Sequence, residues 1–174
     1  LHPKNIGKGN AIKTGLRSAT GNLVIIQDAD LEYDPAQFKS LLSPFSKPDI
    51  KVVYGSRLVH YPLKLWGQDK TLLPLHLIAN KFLTWLTNVL FNGCITDMET
   101  CYKVLDRKLM MSLNLKSGRF DIEPEITAKI LKHGIKIVEV PIEVQPRNYS
   151  QGKKIGWRDG LIAVWTLLKY RLIW

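Results

Sequence analysis

Asp28 and Asp30 stand two residues apart, directly after the apolar run Leu23-Val24-Ile25-Ile26, which is short enough for a buried strand. Residues i and i+2 at a strand end point to the same side. Both carboxylates therefore face one site at the carboxyl edge of a sheet, where open α/β folds bind ligands. Glu32, two residues further on, can join them. Three hard oxygen ligands with no His or Cys suit Mg2+ or Mn2+, which keep positions open for water and phosphate oxygens. Solvated or helix-capping acids in a βα loop would share this spacing, and the pair alone does not decide.

Several cations and one further acid have the chemistry to accompany such a site. Gly7-Lys8-Gly9 lacks the spacing of a dinucleotide-binding or ATP-hydrolysing loop. Two glycines and a lysine at a helix amino terminus still make a good anion site, and equally a plain cap. Arg57 ends a second strand on the same sheet edge as Asp30. Arg147, Lys153 and Lys154 share a loop with Ser150 and Gly152, a cationic segment able to close over a diphosphate or simply to lie solvated. Asp97, read from its position alone, caps the turn after a long helix. Glu123 and Glu125 read as structural or capping residues at a helix start.

The elements that must position these residues follow from pattern. A helix is expected from Gly7-Lys8-Gly9 to about Ala19, then the strand before Asp28, a helix from Pro35 to about Leu42, and a second buried strand Lys51 to Gly55. Strand, helix, strand predicts a βαβ unit and a parallel core sheet. A Lys-, Pro- and Gly-rich loop covers about 58 to 70. The apolar helix from Leu72 to about Phe91 carries a polar stripe of His76, Asn80, Thr84 and Thr87, so it reads as wide-faced and amphipathic, packed on the domain or resting on a bilayer. Thr100 to Val104 reads as a strand, Asp106 caps a short helix to about Leu113, and a helix from Glu123 to His133 is closed by Gly134. Ile135 to Val144, broken by Pro141, suits an edge strand. A last helix from Trp157 combines Trp165 and leucines with Lys169 and Arg171, the mix favoured at a membrane interface.

With 174 residues, 45% of them apolar, the chain can bury one core, and 25 Lys plus Arg against 15 Asp plus Glu give a formal charge of +10. That charge favours an anionic partner. Zinc-finger spacing and RNA-binding aromatics are missing and the lysines are scattered, so a nucleic-acid partner is not expected. Cys94 and Cys101 are too few for a disulfide framework, which points to a reducing compartment.

The motifs Asn5-Ile-Gly-Lys-Gly-Asn-Ala11, Gln27-Asp-Ala-Asp-Leu-Glu-Tyr-Asp-Pro35, Tyr54-Gly-Ser-Arg57, Thr96-Asp-Met-Glu-Thr-Cys-Tyr-Lys103 and Val140-Pro-Ile142 occur in an order and spacing that resembles glycosyltransferase family 2, nearest to the dolichol- or polyprenol-phosphate mannose and glucose synthases. The resemblance covers nearly the whole chain. It implies an α/β fold of GT-A type, a Rossmann-like mixed sheet flanked by helices. Asp28, Asp30 and Glu32 would hold Mg2+ or Mn2+ on the diphosphate of a GDP- or UDP-linked hexose. Gly7, Lys8, Gly9, Arg57, Arg147 and Lys153 would contact the donor, Lys70 the acceptor phosphate, and Asp97 would act beside the acceptor as base or positioning group. Enzymes of this family open with a Pro-x-Tyr-Asn-Glu strand and an Asp-Asp-rich loop, and neither occurs here. The expectation is a partial catalytic domain over 1–156 that lacks its first strands and exposes an apolar sheet edge, followed by an amphipathic interface helix over 157–174.

The function so implied is metal-dependent, inverting transfer of a hexose to a polyprenyl phosphate at the cytoplasmic face of a membrane. A surface polysaccharide or glycolipid acceptor, a non-enzymatic basic domain for membrane or nucleic acid, and a catalytically dead remnant remain as alternatives. Nothing in the sequence sets an oligomeric state.

Overall fold

The structure, a computed structural model, describes residues 2–29, 32–59, 74–145 and 156–173. Helix α1 (Lys8–Ser18) leads into strand β1 (Leu23–Ile25). Asp34 then opens a 3-10 turn, Pro35–Gln37, by accepting from the Ala36 N–H at 2.8 Å, and the turn continues into α2 (Phe38–Leu42). Strand β2 (Val52–Ser56) is buried along its whole length. Helix α3 (Pro74–Phe91) precedes β3 (Lys103–Asp106), and the Asp106 carboxylate caps α4 (Arg107–Ser112) by accepting from the Leu109 N–H at 2.8 Å. Helix α5 (Ile122–Lys132) ends at Gly134, whose φ of 66° is the left-handed conformation glycine supplies at a helix end. Strand β4 (Val138–Pro141) and helix α6 (Trp157–Leu172) complete the order.

The sheet runs β1-β3-β2-β4, with β3 antiparallel to both of its neighbours and β4 parallel to β2. This corrects the expected parallel core. β1 and β2 do run in the same direction, but β3 lies between them. Val104 and Leu105 of β3 are fully buried, and such a segment fits the centre of a sheet covered on both faces. β4 takes one edge, where the missing N–H of Pro141 costs little. At the other edge β1 pairs, among the described residues, only with β3. A groove of about 480 Å³ lies beside it, lined by Ile12, Leu16, Leu23 and Ile25 among others.

Helix α5 is buried from Ile122 to Ile130 and joins two cores. Ile122, Ile126 and Ile130 pack with the sheet residues Val52, Val53, Val104 and Leu105. Ala128 belongs to a second cluster with Leu83 and Phe91 of α3 and with Ala163 and Leu167 of α6. The charges this burial traps are paired. Glu125 accepts from the N–H groups of Lys116 and Ser117, from Lys129 at 2.6 Å and from the Tyr170 hydroxyl at 2.7 Å, which ties α5 to α6. The structural reading of Glu125 stands.

The polar stripe of α3 turns inward. Thr84 accepts from the Met98 N–H at 3.0 Å, and the Asn88 amide bonds both backbone groups of Ile95 at 2.7 and 3.0 Å. The irregular segment after α3 has backbone groups to satisfy, and these side chains satisfy them. The helix therefore presents apolar residues outward.

Candidate functional site

The site is built at the carboxyl end of β1. The Asp28 N–H donates to Cys101 Sγ at 3.1 Å, so a thiol that sequence reasoning left without a role fixes the turn below the carboxylate. Burial pushes that thiol up, Asp28 and Glu123 add to the effect against Lys8, and the sulfur stays neutral. Lys8 Nζ donates to Asp28 Oδ2 at 2.9 Å and lies 2.7 Å from Glu123 Oε1, with which it forms an ion pair. The other Glu123 oxygen meets Lys103 Nζ, which also donates to the Met98 carbonyl at 3.0 Å. Side-chain exposure falls from 30% at Asp28 through 15% at Lys8 and 3% at Glu123 to 0% at Lys103, so a row of alternating charge runs from the rim into the core. Burial by itself would lower Lys8; Glu123, with Asp28 beside it, outweighs that and holds the ammonium well above its ordinary range. Burial by itself would raise Glu123; Lys103 and Lys8 outweigh it and hold the carboxyl below its ordinary range. Both groups remain charged.

The two glycines around Lys8 are packing residues. Gly7 has φ 94°, and a Cβ on Gly9 would come within 2.5 Å of the Ser117 carbonyl oxygen. Two donors at this helix end are already engaged: the Gly7 N–H with Asn5 Oδ1 at 2.9 Å and the Asn10 N–H with the Gly118 carbonyl at 3.1 Å. The free anion site expected here is thus reduced to the Lys8 ammonium and what remains of the first turn.

A second cluster forms where β2 ends. Asp97, with its side chain fully buried, accepts from Arg57 Nε at 2.7 Å, from Arg57 Nη2 at 2.8 Å and from the Arg57 N–H at 3.0 Å. Three of roughly four lone-pair directions of the carboxylate are taken. In this geometry Asp97 holds Arg57 in place. Glu139 of β4 clamps the same loop, accepting from the N–H groups of Thr96 and Asp97 and from the Thr96 hydroxyl. Glu99 stands between the two clusters. One of its oxygens is buried without a hydrogen-bond partner, and burial together with Glu123 raises its pKa to about 7 against Lys103 and Arg57.

The structure thus brings Lys8 to Asp28 and Arg57 to Asp97. Glu32 is half-buried, with its carbonyl accepting from the Gln145 N–H at 3.0 Å. Asp30, Lys70, Arg147 and Lys153 lie outside the described residues. Among the described residues no three His, Cys, Asp or Glu side chains converge as a metal site. Asp28 offers one half-buried carboxylate whose charge Lys8 already balances, so the described part of the site supplies a first ligand for a divalent cation and no complete set. Sequence reasoning missed Glu123 and Lys103. A glutamate in the first turn of a helix looks like a dipole partner, and a lysine in a strand looks solvated. Lys103 carried one usable signal, since Val104 and Leu105 follow it in a short apolar strand; Glu123, flanked by Arg119, Asp121 and Glu125, carried none.

The sequence profile described as Glycosyl transferase family 2 matches residues 1–107. The low-salt glycan biosynthesis hexosyltransferase Agl6 of Haloferax volcanii is 25% identical over 91% of this chain and 38% of its own length. The dolichyl-phosphate beta-glucosyltransferase ALG5A of Trichomonas vaginalis is 29% identical over 88% of this chain and 47% of its own length. A crystal structure of glucosyl-3-phosphoglycerate synthase from Mycobacterium tuberculosis, in complex with Mn2+, uridine diphosphate and phosphoglyceric acid, superposes with a TM-score of 0.71 at 19% identity, covering 99% of this chain and 56% of that one. The chain therefore spans about half or less of each of these proteins. The fold is the GT-A type, a mixed sheet flanked by helices.

Proposed function

Because the chain belongs to glycosyltransferase family 2, we propose that it forms part of an inverting enzyme that moves a hexose from a nucleotide sugar, GDP- or UDP-linked, to a polyprenyl-type lipid phosphate. The observation that carries this reading is the contact between Lys8 and Asp28 at the carboxyl end of β1, backed by Glu123 and Lys103. A cation held beside a partly exposed carboxylate suits a diphosphate: Lys8 would receive a phosphate oxygen while Asp28, with Asp30 and Glu32, would hold Mg2+ or Mn2+. A bound divalent cation would neutralise charge on the departing nucleoside diphosphate. Arg57, fixed by Asp97, adds a second phosphate contact on the same sheet edge.

The state of Asp97 favours a phosphate acceptor over a hydroxyl. A lipid phosphate is already largely ionised near neutral pH, with a second pKa of about 6, and needs no base. A carboxylate committed to Arg57 is then no handicap. The name of ALG5A supports the same acceptor class. One observation favours a hydroxyl acceptor instead: the Glu99 carboxyl, with its pKa near 7, is a group able to take a proton from an alcohol.

The test is transfer from radiolabelled UDP-glucose and GDP-mannose to a polyprenyl phosphate, with Mn2+ and with chelator, alongside Mn2+ calorimetry. The expected result is a lipid-linked product that vanishes with chelator. Replacing Asp30 with Asn should abolish both transfer and Mn2+ binding while the circular dichroism is unchanged. Full transfer by the Asp30→Asn protein would sink the metal assignment, and labelling of an alcohol acceptor alone would sink the lipid phosphate.

A further inference from the structure

Two neighbouring helices turn apolar side chains to solvent. On α3 the row Leu75, Ile78, Phe82, Trp85 and Val89 recurs every three or four residues, each at least 50% exposed, while Thr84, Thr87 and Asn88 face the protein. On α6 the row is Trp157, Leu161, Trp165 and Leu172, with Trp165 63% exposed. The helices pack on one another through Leu83, Phe91, Ala163 and Leu167, so the two rows belong to adjacent helices. A helix at a water-facing surface carries its polar side outward, and α3 does the reverse.

Charge and aromatic placement identify the medium. Helix α3 contains no Asp or Glu, and α6 sets Arg158, Lys169 and Arg171 against the single Asp159, which is occupied by the Gly156 N–H at 2.9 Å. Tryptophans flanked by arginine and lysine on an apolar helix are the composition of a bilayer interface. Among the described residues no helix is long and apolar enough to cross a membrane. The α6 row also reaches the site: Trp157 and Ile162 line a cleft of about 760 Å³ whose walls include Lys8 and Arg119. A second copy of the chain would add its own Lys169 and Arg171 to the same contact, whereas anionic headgroups complement them.

We propose that the apolar face of α3 and α6 lies flat on an anionic lipid bilayer, with the cleft beside Lys8 opening at headgroup level. The use of this placement rests on the lipid-phosphate reading above; its geometry does not. A lipid acceptor would enter the cleft headgroup first, with its chain still among the lipids.

The experiment floats the 174-residue chain with vesicles of phosphatidylcholine, with or without phosphatidylglycerol, at low and high salt. Recovery with anionic vesicles should exceed that with neutral ones by about tenfold, and the excess should fall at high salt. Tryptophan emission should shift to the blue and be quenched by brominated lipid. The double variant Trp85→Ser/Trp165→Ser should lose about tenfold or more of its vesicle binding while keeping its circular dichroism and thermal midpoint, since both side chains are exposed. Lys169→Glu/Arg171→Glu should remove the anionic preference without touching the apolar rows. Absence of vesicle binding overturns the proposal. So does a dimer in sedimentation equilibrium that the double tryptophan variant converts to monomer, because the face would then be an interface between copies. Vesicle binding needs neither donor nor metal, so this result is separate from the fate of the proposed transfer.

Discussion

Glu123 serves two cations at once, and much of the site depends on it. Its oxygens meet Lys8 and the fully buried Lys103, so Glu123→Gln leaves two ammonium groups short of a counter-charge. Breaking a buried pair from one side costs about 3–5 kcal/mol, and urea unfolding of the variant should show a loss of that order. A loss below about 1 kcal/mol would mean that the lysines are hydrated and the row is not a unit. Glu99 gives a pH signature of opposite origin. Its folded pKa is raised to about 7, against an ordinary carboxyl value of 4.5. Between those values the folded chain holds a proton that the unfolded chain has released, so this residue makes stability fall as pH rises, by at most about 1.4 kcal/mol per pH unit. Glu99→Gln should flatten that slope between roughly pH 5 and 7 and raise the urea midpoint at pH 8; an unchanged slope would show that the carboxyl is solvated. Lys8, Asp28, Arg57 and Asp97 were legible in the sequence, and their pairing was not. Lys8 with Asp28 spans 20 residues and Arg57 with Asp97 spans 40, and no local periodicity encodes contacts at such separations.

At the scale of elements, two glycines of α1 have opposite value. Gly9 packs against the Ser117–Gly118 backbone with no room for a methyl group, whereas nothing lies within 4 Å of a Cβ placed on Gly15. Gly9→Ala should cost about 1–3 kcal/mol by forcing α1 off that loop, carrying Lys8 away from Asp28. Gly15→Ala, in an exposed helix interior, should stabilise by about 1 kcal/mol. Thermal unfolding of the two variants distinguishes them, and equal effects would mean that the contact under Gly9 is soft. Local pattern predicted the helices and their ends well, because the Asp106 cap and the Gly134 stop are short-range chemistry. It failed on strand order, since insertion of β3 between β1 and β2 is decided by which segment fills the centre of the sheet. It also left open the outward face of α3, since Thr84 and Asn88 answer to backbone groups beyond the helix.

At the scale of the whole molecule, the consequence lies in α5, the helix that belongs to both hydrophobic clusters. Its amino-terminal turn supplies Glu123 to the charged row, its middle supplies Ala128 to the α3 and α6 cluster, and Lys129 and Glu125 link it to the loop at Leu113 and to Tyr170. Neither cluster can open while the other stays shut. The chain should therefore melt in a single step, with calorimetric and van't Hoff enthalpies in agreement, and two separable transitions would contradict this. Amide protons of α5 should be the last to exchange, released only with global unfolding. Because α5 carries Glu123 and is tied to α6 through the Glu125–Tyr170 contact, whatever α6 rests on stands one helix away from the carboxylate that holds Lys8.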